Sequence, residues 1–471
     1  CIVRQQNQEK RPMERALKPT SKTPSEITRP LAEFASTLTL DRVPDDVAYI
    51  AKQCILDWLG VTLAGAKEPL TEMLLDYVRA EGAGDQATLF GLNARGSVSQ
   101  AALVNGAAGH ALDYDDVLRI MRGHPTAPVA PSVLALGERD RKSGADALTA
   151  FIAGIETQAR VGAYMGESHY MTGWHQTATV GSFGAAAASA RLLGLDTDTT
   201  ATALGIAGTQ AAGLKAMFGT MCKPLHAGKA AANGVMAAEL AKRGFTSRMD
   251  VLECAQGFGA TQSSTIAPEA ALEDLGSLFW MPNLLFKYHA ACYGTHAGIE
   301  CARAIRKHPA FDAAKIKKVD INTAERTMGM CNILNPQTGL EVKFSHRFTA
   351  ALALAGEETG SLHVYSEDMA SRPDLIDLRD KISVQGHVDY GPNSTDITVH
   401  QSDGAVIRES RDMAIPNKDV DVQWDKLETK FRALANPLIG KEKTDKVVAI
   451  VRDLEKQKDL APLAAACAKS D

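Results

Sequence analysis

Aromatic residues are scarce in this chain: 4 Trp, 9 Tyr and 13 Phe make up only 6% of 471 residues. That scarcity argues against a large aromatic-lined cavity for a hydrocarbon substrate. The net charge is −5, which argues against a nucleic-acid-binding surface, since such surfaces need clustered positive charge. No uninterrupted apolar run reaches the roughly 18–20 residues of a bilayer span, so no membrane segment is expected. The 8 cysteines are scattered with no C-x-x-C pair. Free thiols in a reducing compartment, the cytoplasm, are therefore expected. The first 25 residues lack the apolar core of a secretory signal, and residues 1–26 read as a disordered, mildly basic leader.

What is abundant is alanine and glycine, which suits close helix packing. Val47, Ile50, Cys54, Ile55, Trp58 and Leu59 recur at helical spacing along one face, with Asp45 and Asp46 at the positive end of the helix. Further helical patterns are expected at about 68–81, 97–111, 127–141, 144–165, 176–193, 198–214, 225–243 and 249–256. Gly166, Gly194 and Gly244 are expected stops, and 87–91 is a possible short strand. After Pro282 the character changes. Residues 317–322 alternate as a strand does, 343–355 read as a helix, and KISVQ is followed by a hairpin around Asp403-Gly404. From Asp421 the pattern is helical to the end. The expected fold is mainly α. A large helical domain (27–283 plus 414–471) carries a smaller inserted α+β lid domain (284–413), with the site in the cleft between them.

Charge collects in one place. Residues 110–125 read HALDYDDVLRIMRGHP: Asp113, Asp115, Asp116, His110, His124, Arg119 and Arg122 lie between apolar segments. Charged groups there are costly unless paired or used. Two later stretches supply complementary groups. In Cys222-Lys223-Pro224-Leu225-His226 the proline suits a helix first turn, so Lys223 and His226 are expected at a helix start that attracts an anion. In Gly173-Trp174-His175 the histidine again precedes an Ala-rich helix, and Trp174 offers an apolar wall. A third group, Lys287-Tyr288-His289-Ala-Ala-Cys292-Tyr293-Gly-Thr-His296, falls at the expected domain junction, where His289 and His296 could share a helix face. A solvated helix end, a lysine in solvent and a core histidine are the plain alternatives for these groups taken singly.

Other chemistries fit less well. No H-E-x-x-H or similar metal-ligand spacing occurs, so metal independence is expected. Asp115-Asp116-Val-Leu-Arg119 puts arginine where a terpenoid synthase D-D-x-x-D motif needs aspartate. No glycine-rich phosphate loop joins a strand to a helix.

Taken in order, DWLG at 57–60, HALDYDD, GHP, GWH, KPLHAGKAAANG and the 288–296 group resemble the MmgE/PrpD family. Its members include 2-methylcitrate dehydratase, cis-aconitate decarboxylase and iminodisuccinate epimerase. The resemblance covers about residues 30–435. It implies a helical domain with an α+β lid, a homodimer, and a site needing no metal or organic cofactor. It also implies proton transfer next to a carboxylate of a small di- or tricarboxylic acid. Carried over by motif, Asp113, His124, His175 and Lys223 are the catalytic set. His226, Tyr288, His289, Cys292 and His296 are expected to bind substrate. Asp113 is expected to orient a histidine, Lys223 to stabilise an enediolate, and His124 or His175 to carry the proton near neutral pH. His110, Asp115 and Asp116 are expected to brace the loop. His124 lies one residue further from Asp113 than in the decarboxylase pattern, and that pattern's next histidine falls on Cys292. A 2-methylcitrate-dehydratase-like hydro-lyase is therefore the leading expectation. Epimerisation of a substituted succinate and decarboxylation of a cis-aconitate-like acid are the rivals, and a non-catalytic carboxylate-binding relative is the remote one.

Overall fold

In a computed structural model, residues 26–469 are described; the leader expectation lies almost wholly outside them. The chain is mainly α-helical. The first part runs α1 (Thr28–Thr37), α2 (Asp45–Gly65), α3 (Pro69–Ala80), β1 (Ala87–Thr88), β2 (Arg95–Gly96), α4 (Val98–Ala111), α5 (Thr126–Arg139), α6 (Gly144–Thr172), α7 (Gln176–Leu193), α8 (Thr197–Gly208) and α9 (Cys222–Lys242). Short helices α10 (Phe258–Gln262) and α11 (Pro268–Leu272) interrupt a long irregular segment. Then come α12 (Tyr293–Arg306), β3 (Ile316–Ala324), α13 (Glu325–Cys331), α14 (Gly339–Lys343), α15 (His346–Ala355), α16 (Glu367–Ala370), α17 (Pro373–Asp380), β4 (Ile382–His387), β5 (Ser394–Gln401), β6 (Val406–Asp412), α18 (Val420–Arg452) and α19 (Ala461–Cys467).

Helix α2 is buried almost all round from Gln53 to Leu63, not along a single stripe. By length and mean composition it is apolar enough to cross a bilayer, although Lys52 and Asp57 interrupt its apolar run, and 78% of its most apolar 18-residue window is buried inside the protein. It is a central helix, packed on α4 and α18. One apolar core joins residues 27–286 to Trp424, Leu427, Phe431 and the C-terminal helices. A second gathers Ile299, Ile305, Val319, Ile321, Phe348, Leu352, Ile397 and Val399, with Val61, Tyr114 and Leu434 at its edge.

The second core lies under a four-stranded sheet of order β4-β3-β5-β6. Strand β3 is parallel to β4 and antiparallel to β5, with Ile321 opposite Ile397 and Val399 opposite Val319. Alternation points these residues to one face, where α12 and α15 cover them. The Asp403-Gly404 turn joins β5 to β6, with Gly404 at φ 92.

Small residues set the helix spacing. A Cβ on Gly228 of α9 would lie 2.1 Å from the Leu103 carbonyl oxygen of α4, and one on Gly106 would lie 2.8 Å from Gly228 Cα. This contact brings the C-terminal end of α4 beside the N-terminal end of α9. A buried ion pair fixes the next element: Lys430 of α18 meets Asp57 of α2 at 2.6 Å, both almost fully buried. The same ammonium donates to the carbonyls of Tyr114 (2.8 Å) and Lys287 (2.7 Å). Burial pushes the Asp57 carboxyl up to about 6, although Lys430 opposes the shift.

Several sequence expectations are corrected. α8 ends at Gly208, not 214, because the chain turns away through Gly213 at φ 148. Residues 249–256 form turns, not a helix; Gln256 takes a positive φ, and Thr28 binds the Leu252 N–H. Residues 343–355 are split, since Ser345 caps a new helix with its side chain. Gly166 kinks α6 at φ 63, but helix resumes to Thr172. The 87–91 strand shrinks to two paired residues. α9 starts at Cys222, three residues early.

Two tests follow. Gly228→Ala would normally favour a helix by about 1 kcal/mol; here it is expected to lower the urea midpoint, because backbone must move. Lys430→Met is expected to cost roughly 3–5 kcal/mol by leaving Asp57 buried and unpaired. Its loss should be smaller at about pH 5 than at pH 8, since an unpaired Asp57 folds protonated and that advantage fades as pH rises.

Candidate functional site

Helix α4 ends at Ala111, and Asp113 follows in the left-handed region at φ 50, where glycine or asparagine is usual. A carboxylate at a helix C-terminus also opposes the helix dipole. Three cationic or polar partners offset this. Lys223 Nζ lies 2.8 Å from Asp113 Oδ1, Lys287 Nζ 3.3 Å, and His124 Nε2 3.4 Å. Lys287 also donates to the Asp113 carbonyl. Partial withdrawal from water would raise the Asp113 carboxyl, but the Lys287 and Lys223 charges outweigh it and hold it well below the usual carboxylate range. Its side chain keeps 56% of its exposure, so the clamp opens to solvent.

His124 is held from both sides. Its Nδ1 lies 3.2 Å from Asp115 Oδ2, close enough to attract but off the line of a hydrogen bond. Its backbone N–H donates to Thr177 Oγ1 of α7 at 3.0 Å. Asp115 also accepts from His110 Nδ1 at 3.0 Å. Burial opposes ionisation of Asp115, yet the two imidazoles hold it well below its ordinary value. Asp115, expected only to brace the loop, thus contacts both histidines, and orienting His124 is shared between Asp115 and Asp113. Asp116 does brace: it accepts from Thr126 Oγ1 at 2.6 Å, and burial pushes its carboxyl up to about 7.

His175 is the N-cap residue of α7, with its N–H on the Gly213 carbonyl. Its Nδ1 lies 3.0 Å from His226 Nδ1, so one ring donates and the other accepts. Its ring stacks 5.9 Å from His110 and meets the edge of Phe218 at 4.9 Å. Burial, then the neighbouring His110 and Lys223, hold the His175 imidazolium well below its ordinary range, not near neutrality. Burial likewise lowers His110 to about 4, and lowers His226.

The start of α9 differs from the expected anion site. Cys222 N–H donates to Thr220 Oγ1, Lys223 N–H to the Thr220 carbonyl and Leu225 N–H to Met221, while Pro224 has none. These first-turn donors are already used, so the Lys223 side chain alone faces the carboxylate. Trp174 stacks on His169 at 5.8 Å.

Asp113, His124, His175, Lys223 and His226 thus come together. The third group is divided. His289 precedes α12 and does not share its helix face with His296, although their rings lie 5.1 Å apart. Both His289 nitrogens are engaged, by Glu300 at 3.0 Å and Thr359 at 2.9 Å. Tyr288 donates to Gln423 at 3.3 Å. With His289 it borders a cavity of about 500 Å³ between α12 and α18. His296 is buried against the Ala291 carbonyl. Cys292, the N-cap residue of α12, lies beside Cys331, whose thiol lowers it to about 7 against the opposing effect of burial; Lys287 also lowers it.

Lys287 is the residue missed at first. It lies in the quoted third group, and a lysine inside the apolar run LLFKYH was the available signal. Lys343, whose ammonium burial disfavours, also feels Asp113. His110, Asp113, Asp115 and His124 bring ligand atoms within 4.8 Å of one another. Two ammonium groups already compensate Asp113, which disfavours a cation there.

Folding keeps His110 and His175 neutral while the unfolded chain protonates them below about pH 6.5. The stability they lend is present above that pH and is lost as pH falls towards 4. Buried Asp57 and Asp116, raised, act in the opposite sense. His175→Asn is therefore expected to reduce the acid-side slope of the unfolding free energy between pH 6.5 and 4.5 by up to about 1.4 kcal/mol per pH unit, one proton. An unchanged slope in urea titrations would contradict the assignment.

Comparison with known proteins adds a second line. Residues 29–270 match the MmgE/PrpD N-terminal domain and residues 289–456 the MmgE/PrpD C-terminal domain. The chain is 30% identical to cis-aconitate decarboxylase of Homo sapiens over 455 residues, 93% of each chain. It is 26% identical to cis-aconitate decarboxylase of Aspergillus terreus over 472 residues, covering 94% of this chain and 96% of that one. The protein belongs to the MmgE/PrpD family.

Proposed function

We propose that this protein is a lyase for a small di- or tricarboxylic acid, acting without metal or organic cofactor by proton transfer next to a carboxylate. The observation that carries this reading is the Asp113 carboxylate clamped by Lys223 and Lys287 beside His124 and the His175–His226 pair. A C–H next to a carboxylate is weakly acidic, and its removal needs cations at the developing enediolate. The two ammonium groups sit where a substrate carboxylate would compete with Asp113 for them.

The His175–His226 pair is neutral and serves as the base. Burial and then the positive field of His110 and Lys223 depress His175; a bound dianion offsets that field, and the shared Nδ1–Nδ1 contact spreads the charge over two rings. His124, flanked by carboxylates on both sides, donates the proton to the leaving group. With a β-hydroxy acid such as 2-methylcitrate, that step is loss of water. Cys292, standing where the decarboxylase pattern has histidine, favours this outcome. Decarboxylation of cis-aconitate is the second reading, favoured by the activity for which the relatives are named. Cys292, which feels both Lys287 and Asp113, faces the substrate in this reading from the part of the chain that closes over it as a lid and excludes water, whereas Tyr288, His289 and His296 stand apart, on a separate cavity and in the core. The protein works in this reading as a homodimer in the cytoplasm, where the seven described free cysteines stay reduced.

The test is solvent deuterium incorporation into a panel of di- and tricarboxylates, followed by identification of product as alkene plus water or as CO₂. Lys223→Ala should lower exchange by orders of magnitude with an unchanged melting temperature, and Lys223→Arg should restore only part. EDTA should leave the rate unaltered. Exchange that persists in Lys223→Ala would remove the basis of the reading.

A further inference from the structure

Arg119 and Arg122 have no part in the clamp, yet they stand on the loop that ends at His124. The backbone pairs Leu118 with Gly123, and a single 3₁₀ turn, Arg119–Met121, fills the loop between. Arg122 closes it in the left-handed region at φ 44, a conformation that costs energy for a residue with a side chain. The loop is pinned at its base, because a Cβ on Gly123 would lie 3.0 Å from the backbone nitrogen of Thr177. Both arginines border a cavity of about 750 Å³, together with His124, Tyr170, Trp280 and Asn283.

Among the described residues, no carboxylate lies within ion-pair distance of either guanidinium. Arg122 Nη1 has the Gly166 carbonyl at 3.3 Å, and Arg119 is exposed. The indole N–H of Trp280 is buried without a hydrogen-bond partner. Loop cations held for solubility alone need neither a constrained backbone nor a shared cavity with a reactive histidine. Arg122 is two residues from His124, so their Cα atoms are at most about 7 Å apart, within one arginine side chain of the clamp.

We propose that Arg119 and Arg122 form an outer carboxylate subsite, which makes this site prefer tricarboxylates over dicarboxylates. The inference rests on the proposed function of the inner clamp. Lys223 and Lys287 carry two positive charges against the one negative charge of Asp113. That leaves one net charge for the carboxylate next to the reacting carbon. A further carboxylate on the substrate needs its own cation, and guanidinium forks bind carboxylates in two-point geometry. The arginine pair supplies this at the mouth of the same cavity that His124 borders.

The test compares binding of propane-1,2,3-tricarboxylate with that of succinate by calorimetry, in the intact chain and in variants. Arg119→Gln alone should lower the preference for the tricarboxylate severalfold, and this exposed position is expected to fold normally. Arg119→Gln with Arg122→Gln should lower it tenfold or more. An unchanged ratio, or equal weakening of both acids, overturns the proposal. Lys223→Ala separates the two readings. If it leaves succinate binding intact, the inner clamp is wrong; if it abolishes succinate binding while the arginine variants leave the ratio untouched, only the outer subsite is wrong.

Discussion

The Lys430–Asp57 ion pair is the contact on which the placement of the other parts depends. Its energetic contribution is small or even unfavourable against an apolar pair of the same volume. Its value is positional. One ammonium from the C-terminal helix reaches a carboxylate on the central helix and two carbonyls, those of Tyr114 and Lys287. The Tyr114 carbonyl follows Asp113 directly, and Lys287 supplies a cation to Asp113. A side chain more than 300 positions away thereby sets the distance between the acidic loop and its counter-charge.

Within that frame Asp113 is costly by every local measure. It takes a backbone conformation poorly suited to it, at the wrong end of a helix dipole, and only partners brought in from elsewhere in the chain, Lys223, Lys287 and His124, offset this. Nothing about helix α4 requires an aspartate there. The cost is explained if the carboxylate holds two lysines in place until a substrate carboxylate replaces it. The buried histidines behave consistently with this view. They are kept neutral by burial and by cations, a state in which they accept protons once an anion arrives.

The scaffold that permits such crowding is one of small residues. Gly106 against Gly228 lets α4 and α9 approach until backbone meets backbone, so the two helix ends carrying Asp113 and Lys223 meet directly. Larger residues at these points would keep the same helices but separate their termini. The aromatic poverty of the chain and its charged site are thus connected: alanine and glycine give close helices, and the space left at their ends is polar.

Sequence by itself determined the helical body and the β hairpin about Asp403-Gly404, through the local signals of apolar periodicity and turn chemistry. The grouping of Asp113, His124, His175 and Lys223 as one set came from the resemblance of their motifs to the family, not from any local signal. The role of Lys287 was not legible, because a lysine in an apolar run has the same pattern whether it snorkels to water or turns inward to Asp113. The expected anion-binding helix start at Lys223 was also undone by local detail, as Thr220 and Met221 already accept its N–H groups. The division of the 288–296 group could not be read from spacing, since His289 lies before the helix that carries His296. Only tertiary structure decided which nitrogen faces which oxygen. Burial and neighbouring charges, supplied by elements far apart in the chain, set the protonation of His175 and Asp113, and no local sequence pattern encodes them.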